Sequence, residues 1–148
     1  MRKIDNIDRN ILSQLVKNAR ITMEGLSGKV GLSKTPVITR IKRMEAEGVI
    51  RGYSALIDHT KIGEGHISFV QVTLSDTRSS ALEAFNAAVA GIAEIVECHM
   101  IAGNFDYLLK IRTRDMAHYR RILAESLSEL PHVSHTSTFS VMEAVKDR

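Results

Sequence analysis

The sequence predicts an α+β protein in two parts. A three-helix bundle comes first, and a unit with the order strand-helix-strand-strand-helix-strand follows. Three observations carry this reading. Apolar residues recur at helical spacing three times before Gly48 and twice after Ser80. Four short β-rich runs flank the two later helices. The charge is also divided. The 148 residues hold 20 Lys+Arg and 17 Asp+Glu, a net +3. Residues 1–51 carry 11 of the basic and 5 of the acidic side chains, which is +6, and residues 52–148 carry −3. That asymmetry points to a polyanion as partner of the first part alone.

Composition narrows the class. With 44% hydrophobic and 25% charged residues the chain reads as a soluble globular protein. No apolar run approaches the roughly 20 residues that span a bilayer, so no membrane partner is expected. Met1 to Asn6 lacks the apolar centre of a signal peptide. Cys98 is the single cysteine, which excludes an internal disulfide and a CxxC site. A cytoplasmic location is expected.

Ile4, Ile7, Ile11, Leu12, Leu15 and Val16 form the first helical stripe, with Asp5 as N-cap and Asp8 at the capping-box position. This helix should end near Asn18. Thr22 caps a second helix that runs to about Lys29 and buries Leu26 and Val30. Gly31-Leu32-Ser33 reads as a tight turn, with Gly31 left-handed and Ser33 capping the third helix. Pro36 falls in that helix's first turn, where a missing N–H is tolerated. Val37, Ile41 and Met44 face inward; Thr35, Thr39 and Lys42 face outward, with Ile38 and Arg43 on the borders. A short helix, a glycine turn and a second helix with a basic outer face constitute a helix-turn-helix. Such a helix fits the major groove of double-stranded DNA. On this reading Ser33, Lys34, Thr35, Ile38, Thr39, Arg40, Lys42 and Arg43 form the DNA-binding set. Thr35, Ile38, Thr39 and Lys42 face bases, whereas Lys34, Arg40 and Arg43 meet phosphates. The run Val49 to Asp58 predicts a strand, either a wing or a connecting arm.

The domain boundaries predicted are 1–51 for the helix-turn-helix, 52–65 for a connecting strand and hinge, and 66–148 for the sheet unit. Strands are expected over Ile67–Leu74, Ile95–Ala102, Phe105–Arg112 and Val133–Met142. Gly103-Asn104 is read as a two-residue hairpin turn with Gly first. Ala81, Leu82, Phe85, Ala88 and Val89 make one helical stripe; Tyr119, Ile122, Leu123, Leu127 and Leu130 make another, ended by Pro131. This βαββαβ order is ferredoxin-like. Two helices cover one sheet face, and the other is left for a partner such as a second copy. Periodicity alone leaves open which residues occupy which face.

Cys98 and His99 are adjacent strand residues on opposite faces, so they make no nucleophile-base pair, and Cys98 reads as a buried structural thiol. Glu97 with His99, and His132 with His135, lack a third metal ligand. Phe105 and Tyr107 read as a packed aromatic pair. No catalytic constellation, metal site or cofactor site emerges, so the chain is not expected to be an enzyme.

Particular stretches are specific. Ile7-Asp8-Arg9-Asn10-Ile11-Leu12, Val30-Gly31-Leu32-Ser33-Lys34-Thr35-Pro36-Val37, Arg40-Ile41-Lys42-Arg43-Met44-Glu45 and Gly48-Val49-Ile50-Arg51-Gly52-Tyr53 occur in the first part. Glu97-Cys98-His99-Met100, Gly103-Asn104-Phe105-Asp106-Tyr107-Leu108-Leu109-Lys110 and Val141-Met142-Glu143 occur in the second. Over nearly the whole chain these resemble the Lrp/AsnC (leucine-responsive, feast/famine) family of transcriptional regulators. The resemblance implies an N-terminal winged helix-turn-helix and a C-terminal domain for ligand binding and oligomerisation. It implies an amino-acid effector, dimers and higher assemblies such as octamers. It places the effector at Met100, Gly103, Asn104, Phe105, Asp106 and Tyr107, with Thr138 and Ser140 on the last strand. An ammonium group calls for a carboxylate such as Asp106, and a carboxylate calls for the N–H groups of a turn. The resemblance implies an acid in close relatives where Asn104 stands, a departure that could weaken ammonium binding or change the preferred ligand. Asp106 also fits a simpler role, capping its own turn. Leu74-Ser75-Asp76-Thr77-Arg78, Glu97 to Gly103, and Arg112-Thr113-Arg114-Asp115 are similar to the proline-dehydrogenase activator subgroup, which implies proline as effector and proline catabolism as target. Two rival functions stay open on the residues alone: an architectural DNA-binding protein without effector, and a small amino-acid-binding module.

Overall fold

The computed structural model describes residues 3–146. The chain divides into two compact units between Leu56 and Ile57.

In the first unit, α1 (Asn6–Lys17), α2 (Met23–Val30) and α3 (Lys34–Ala46) enclose Ile11, Leu15, Leu26, Val37, Ile41 and Met44. The Asp5 carboxylate accepts from the Asp8 N–H at 2.8 Å, and the Asp8 carboxylate accepts from the Asp5 N–H at 3.1 Å. This reciprocal capping box satisfies two N–H groups that a helix start leaves without partners. Thr22 caps α2 by accepting from the Gly25 N–H at 3.1 Å. Gly31 ends α2 at φ 70°, a left-handed conformation in which a Cβ is penalised. Ser33 occupies the N-cap position of α3, but its side chain makes no cap hydrogen bond.

The arm after α3 differs from the strand expected over Val49 to Asp58. Residues 51–58 form no ladder, because a strand needs a neighbouring backbone and this unit offers only helices. Tyr53 is instead pinned to α3 by donating its hydroxyl to Glu45 Oε1 at 2.8 Å. Leu56 and Ile57 are exposed.

In the second unit, β1 (His66–Leu74), β2 (Ile95–Met100), β3 (Tyr107–Thr113) and β4 (Val133–Ser140) form an antiparallel sheet in the order β2-β3-β1-β4. The helices α4 (Ser79–Ala90) and α5 (Met116–Ile122, continued as a π-helical turn over Leu123–Leu127) follow β1 and β3. Strand alternation settles the faces. Val70, Val72, Leu74, Tyr107, Leu109 and Ile111 pack against Phe85, Val89, Tyr119, Ile122 and Leu127. Phe69 and Phe139, paired across β1 and β4, point to the other face, as does Leu108. Phe139 is 52% exposed there.

Candidate functional site

On α3 the positions Ser33, Lys34, Thr35, Ile38, Thr39 and Lys42 are all solvent-exposed. They form one side of the helix, opposite the buried Val37, Ile41 and Met44. Thr39 donates its hydroxyl to the Thr35 carbonyl at 3.0 Å, and Lys34 lies 3.4 Å from Glu24 in an exposed pair. Exposed pairs of that kind contribute little and exchange readily for a phosphate. Thr, Ile and Lys together offer hydroxyls, an apolar contact for a thymine methyl, and a cation for guanine.

Arg40 and Arg43 differ from the expectation of free phosphate cations. Arg40 Nη1 donates to Asp5 Oδ2 at 2.6 Å and Asp8 Oδ1 at 2.8 Å, and Arg43 Nη2 donates to Asp8 Oδ2 at 2.6 Å. Asp8 is fully buried. Burial would raise its carboxyl, but hydrogen bonds from Arg40, the Asp5 N–H and Arg43 outweigh that and hold it at about 2. The reason for the difference is the packing of α1 on α3, which buries a charge that must be paired. Capping chemistry alone marks Asp8 in the sequence, and its pairing with Arg40 and Arg43 is not expected from it. A signal was available: Asp8 shares the helical face of Ile4, Ile11 and Leu15, and an acid within an apolar stripe requires a partner.

The second candidate site is the β2–β3 loop. Met100 pairs with Tyr107, and the Ile101 N–H donates to the Asp106 carbonyl at 2.8 Å. The turn therefore spans residues 102–105, four residues where two were expected, and β2 ends at Met100. Gly103 has no positive φ, unlike the first residue of the expected turn. Asp106 explains the longer loop. Its N–H donates to the Val72 carbonyl at 2.9 Å and its Oδ2 accepts from the Leu74 N–H at 2.7 Å, hooking the loop to the end of β1. The carboxylate thus caps the end of β1 rather than its own turn, while Oδ1 stays available.

Met100, Gly103 and Asn104 are exposed around this hook, and Phe105 is half-buried. The other expected effector residues are placed elsewhere. Tyr107 turns into the core, with its ring 4.5 Å from that of Phe85, so it does not pair with Phe105, which lies in the turn. Tyr119 and Thr138 share a hydroxyl hydrogen bond of 2.5 Å, and Ser140 bonds His66 Nε2 at 3.2 Å. Ser140 pairs with Ser68, at least four positions along β1 from the Asp106 hook, about 14 Å at the rise of a strand.

Cys98 is exposed on the edge strand β2, not buried, because among the described residues no further strand pairs with that edge. Burial of part of the side chain pushes its thiol up, away from the thiolate a nucleophile needs. Glu97 does accept from His99, at 3.2 Å, and pairs with Lys110 at 3.5 Å. Among the described residues no group of three or more His, Cys, Asp or Glu is arranged to hold a metal. Nor is any of their helices long and apolar enough to cross a membrane.

Both units match known protein families. Residues 4–51 match the winged helix-turn-helix DNA-binding family, and residues 67–148 match the Lrp/AsnC ligand binding domain. A proline dehydrogenase transcriptional activator from Rhodobacter capsulatus is 54% identical over 98% of this chain and 94% of its own length. The leucine-responsive regulatory protein of Escherichia coli K12 is 47% identical over 97% of this chain and 87% of its own. A transcriptional regulator from Neisseria meningitidis, solved in complex with L-Met, superimposes with a TM-score of 0.90 at 30% identity, covering 98% of this chain and 94% of that one. These relatives are transcription regulators, not enzymes. With a DNA-reading helix in one unit and a ligand-binding fold in the other, both matched along their length, the chain belongs to the Lrp/AsnC family of transcriptional regulators.

Proposed function

We propose that this protein binds promoter DNA sequence-specifically in the cytoplasm, as a homo-oligomer, and that an amino-acid effector at the Met100–Asp106 loop modulates binding or assembly. The observation that carries the DNA-binding part is the exposed face of Ser33, Lys34, Thr35, Ile38, Thr39 and Lys42 on α3. Phosphates are met first by Lys34, and by Arg40 and Arg43 through whatever donors their acids leave free. Lys42→Ala is expected to reduce discrimination between the selected duplex and random DNA by about tenfold, as loss of one base contact does. Gel-shift titration at several salt concentrations measures this, and equal discrimination by both proteins removes Lys42 from the reading face.

The effector reading rests on Asp106 Oδ1 and the exposed loop beside it. The loop is too open in one chain to desolvate a zwitterion, which supports a site closed by another subunit. Tyr107, Thr138 and Ser140 then act behind that site through packing, not by contact. The similarity to proline dehydrogenase transcriptional activators supports proline as effector and proline catabolism as the regulated process. Thermal-shift screening of the twenty amino acids tests this. No hit favours an architectural protein without effector, a reading to which the uncharged Asn104 lends support.

The open face bearing Phe69, Leu108 and Phe139 supports a dimer formed sheet to sheet, with larger assemblies such as octamers built from it. Phe139→Glu puts an unpaired charge into that contact and is expected to weaken self-association at least 100-fold. Sedimentation velocity showing wild-type assembly for this variant excludes the face.

A further inference from the structure

This inference rests on the DNA-binding reading above and concerns a residue outside the reading face. Arg40 and Arg43 are three apart on α3 and therefore neighbours on one side of it. Their side chains are 24% and 20% exposed, and both converge on the buried Asp8. Each Asp8 oxygen takes a guanidinium nitrogen, at 2.8 Å from Arg40 and 2.6 Å from Arg43. Asp5 takes the same Arg40 nitrogen at 2.6 Å. Two positive and two negative groups cancel, so the cluster adds no net charge to a strongly basic unit. The arrangement nevertheless uses only Nη1 of Arg40 and Nη2 of Arg43. A guanidinium has five N–H donors in a rigid fork, so Arg40 keeps Nε and Nη2, whereas Arg43 keeps Nη1 alone, its Nε being buried without a partner. Both arginines line a surface cleft of about 380 Å³ together with Thr35, Pro36 and Thr39. Thr35 and Thr39 belong to the exposed reading side.

We propose that Asp8 is a positioning residue for DNA recognition: it fixes Arg40 and Arg43 so that Arg40 Nε and Nη2, with Arg43 Nη1, hold a backbone phosphate in the cleft beside Thr35 and Thr39. A phosphate gripped at a fixed place sets the register of Ile38 and Lys42 on the bases. A mobile arginine gains counterion release from any duplex and carries no sequence information. Asp8 thus acts in two ways that reinforce each other. It pre-organises the specific contact, and it withholds two cations from indiscriminate binding.

The test uses the full-length protein. A duplex is selected by wild type from a randomised 30-bp pool, and a scrambled duplex of equal composition serves as reference. Dissociation constants for both are measured against NaCl concentration for wild type, Asp8→Asn and Asp5→Asn, each corrected to the folded fraction. Asp8→Asn is expected to lower the affinity ratio about tenfold and to steepen the scrambled-duplex salt slope by about one unit. Asp5→Asn keeps an N-cap oxygen and loosens Arg40 alone, so a smaller change in the same direction is expected. A purely structural Asp8 leaves the ratio and the slope of the folded variant at wild-type values, and that result overturns the proposal. If Asp8→Asn does not fold, Asp5→Asn decides by the same two readouts. If wild type enriches no duplex, the DNA-reading function fails and this inference fails with it.

Discussion

Between pH 4 and pH 2 the helical unit is expected to lose about 2 kcal/mol of stability through Asp8 alone. The direction follows from the two protonation equilibria. In the unfolded chain the Asp8 carboxyl has its ordinary value of 3.8, and in the folded protein it is held at about 2. Stability from the ionised, paired form is complete above the unfolded value and disappears as pH falls through the folded one. Asp5 is lowered too, by the Asp8 N–H and by Arg40, and its contribution goes the same way. At pH 7, Asp8→Ala is expected to cost about 2–4 kcal/mol, because two arginines lose a buried partner. Amide hydrogen exchange of α1 and α3 at pH 7, 4 and 2.5 checks both statements. An Asp8→Ala protein that still shows the full wild-type loss over this window assigns the acid sensitivity to other groups.

Replacing Asp106 with Asn is expected to weaken amino-acid binding by roughly 10–100-fold while leaving DNA binding without effector unchanged. The magnitude is that of one charge-assisted hydrogen bond. Asn is the informative substitution because its side-chain oxygen still accepts from the Leu74 N–H, the bond that hooks the loop to β1. Asp106→Ala removes the hook and the charge together, so it tests folding of the loop as much as ligand chemistry. Calorimetry with the amino acid found by thermal-shift screening supplies the reading. Unchanged affinity of Asp106→Asn restricts Asp106 to its structural bond.

Most of the fold was legible because it depends on local signals. The caps Asp5, Thr22 and Gly31 lie where their side-chain chemistry and spacing put them. The stripe Val37, Ile41, Met44 is buried, and Thr35, Thr39 and Lys42 are exposed, as helical geometry requires. Of the readings that departed from the structure, three did so because a distant part of the chain decided them. The segment after α3 has β-forming residues, yet a strand exists only where another backbone supplies a ladder. The Gly103-Asn104 turn lengthened because Asp106 bonds Leu74, thirty-two residues away. Cys98 is apolar enough for a core but lies on a sheet edge, and edge position is a property of strand order.

The two candidate sites divide in the same way. The reading face of α3 lies on one helix, so periodicity alone grouped it. The effector residues lie on a loop and on β4, and only the sheet register shows that Thr138 and Ser140 are spaced away from Asp106 along β1.

The division of charge marks the same boundary for Arg40 and Arg43. Sequence by itself determined that the basic excess belongs to residues 1–51 and that α3 displays Thr35, Ile38, Thr39 and Lys42, because net charge and helical phase are sums over neighbours. Tertiary structure decided which of the cations are free. Packing α1 on α3 carries Asp8 to Arg40 and Arg43 across more than thirty residues of chain, and a buried carboxylate has to be answered by whatever positive groups that packing brings within reach.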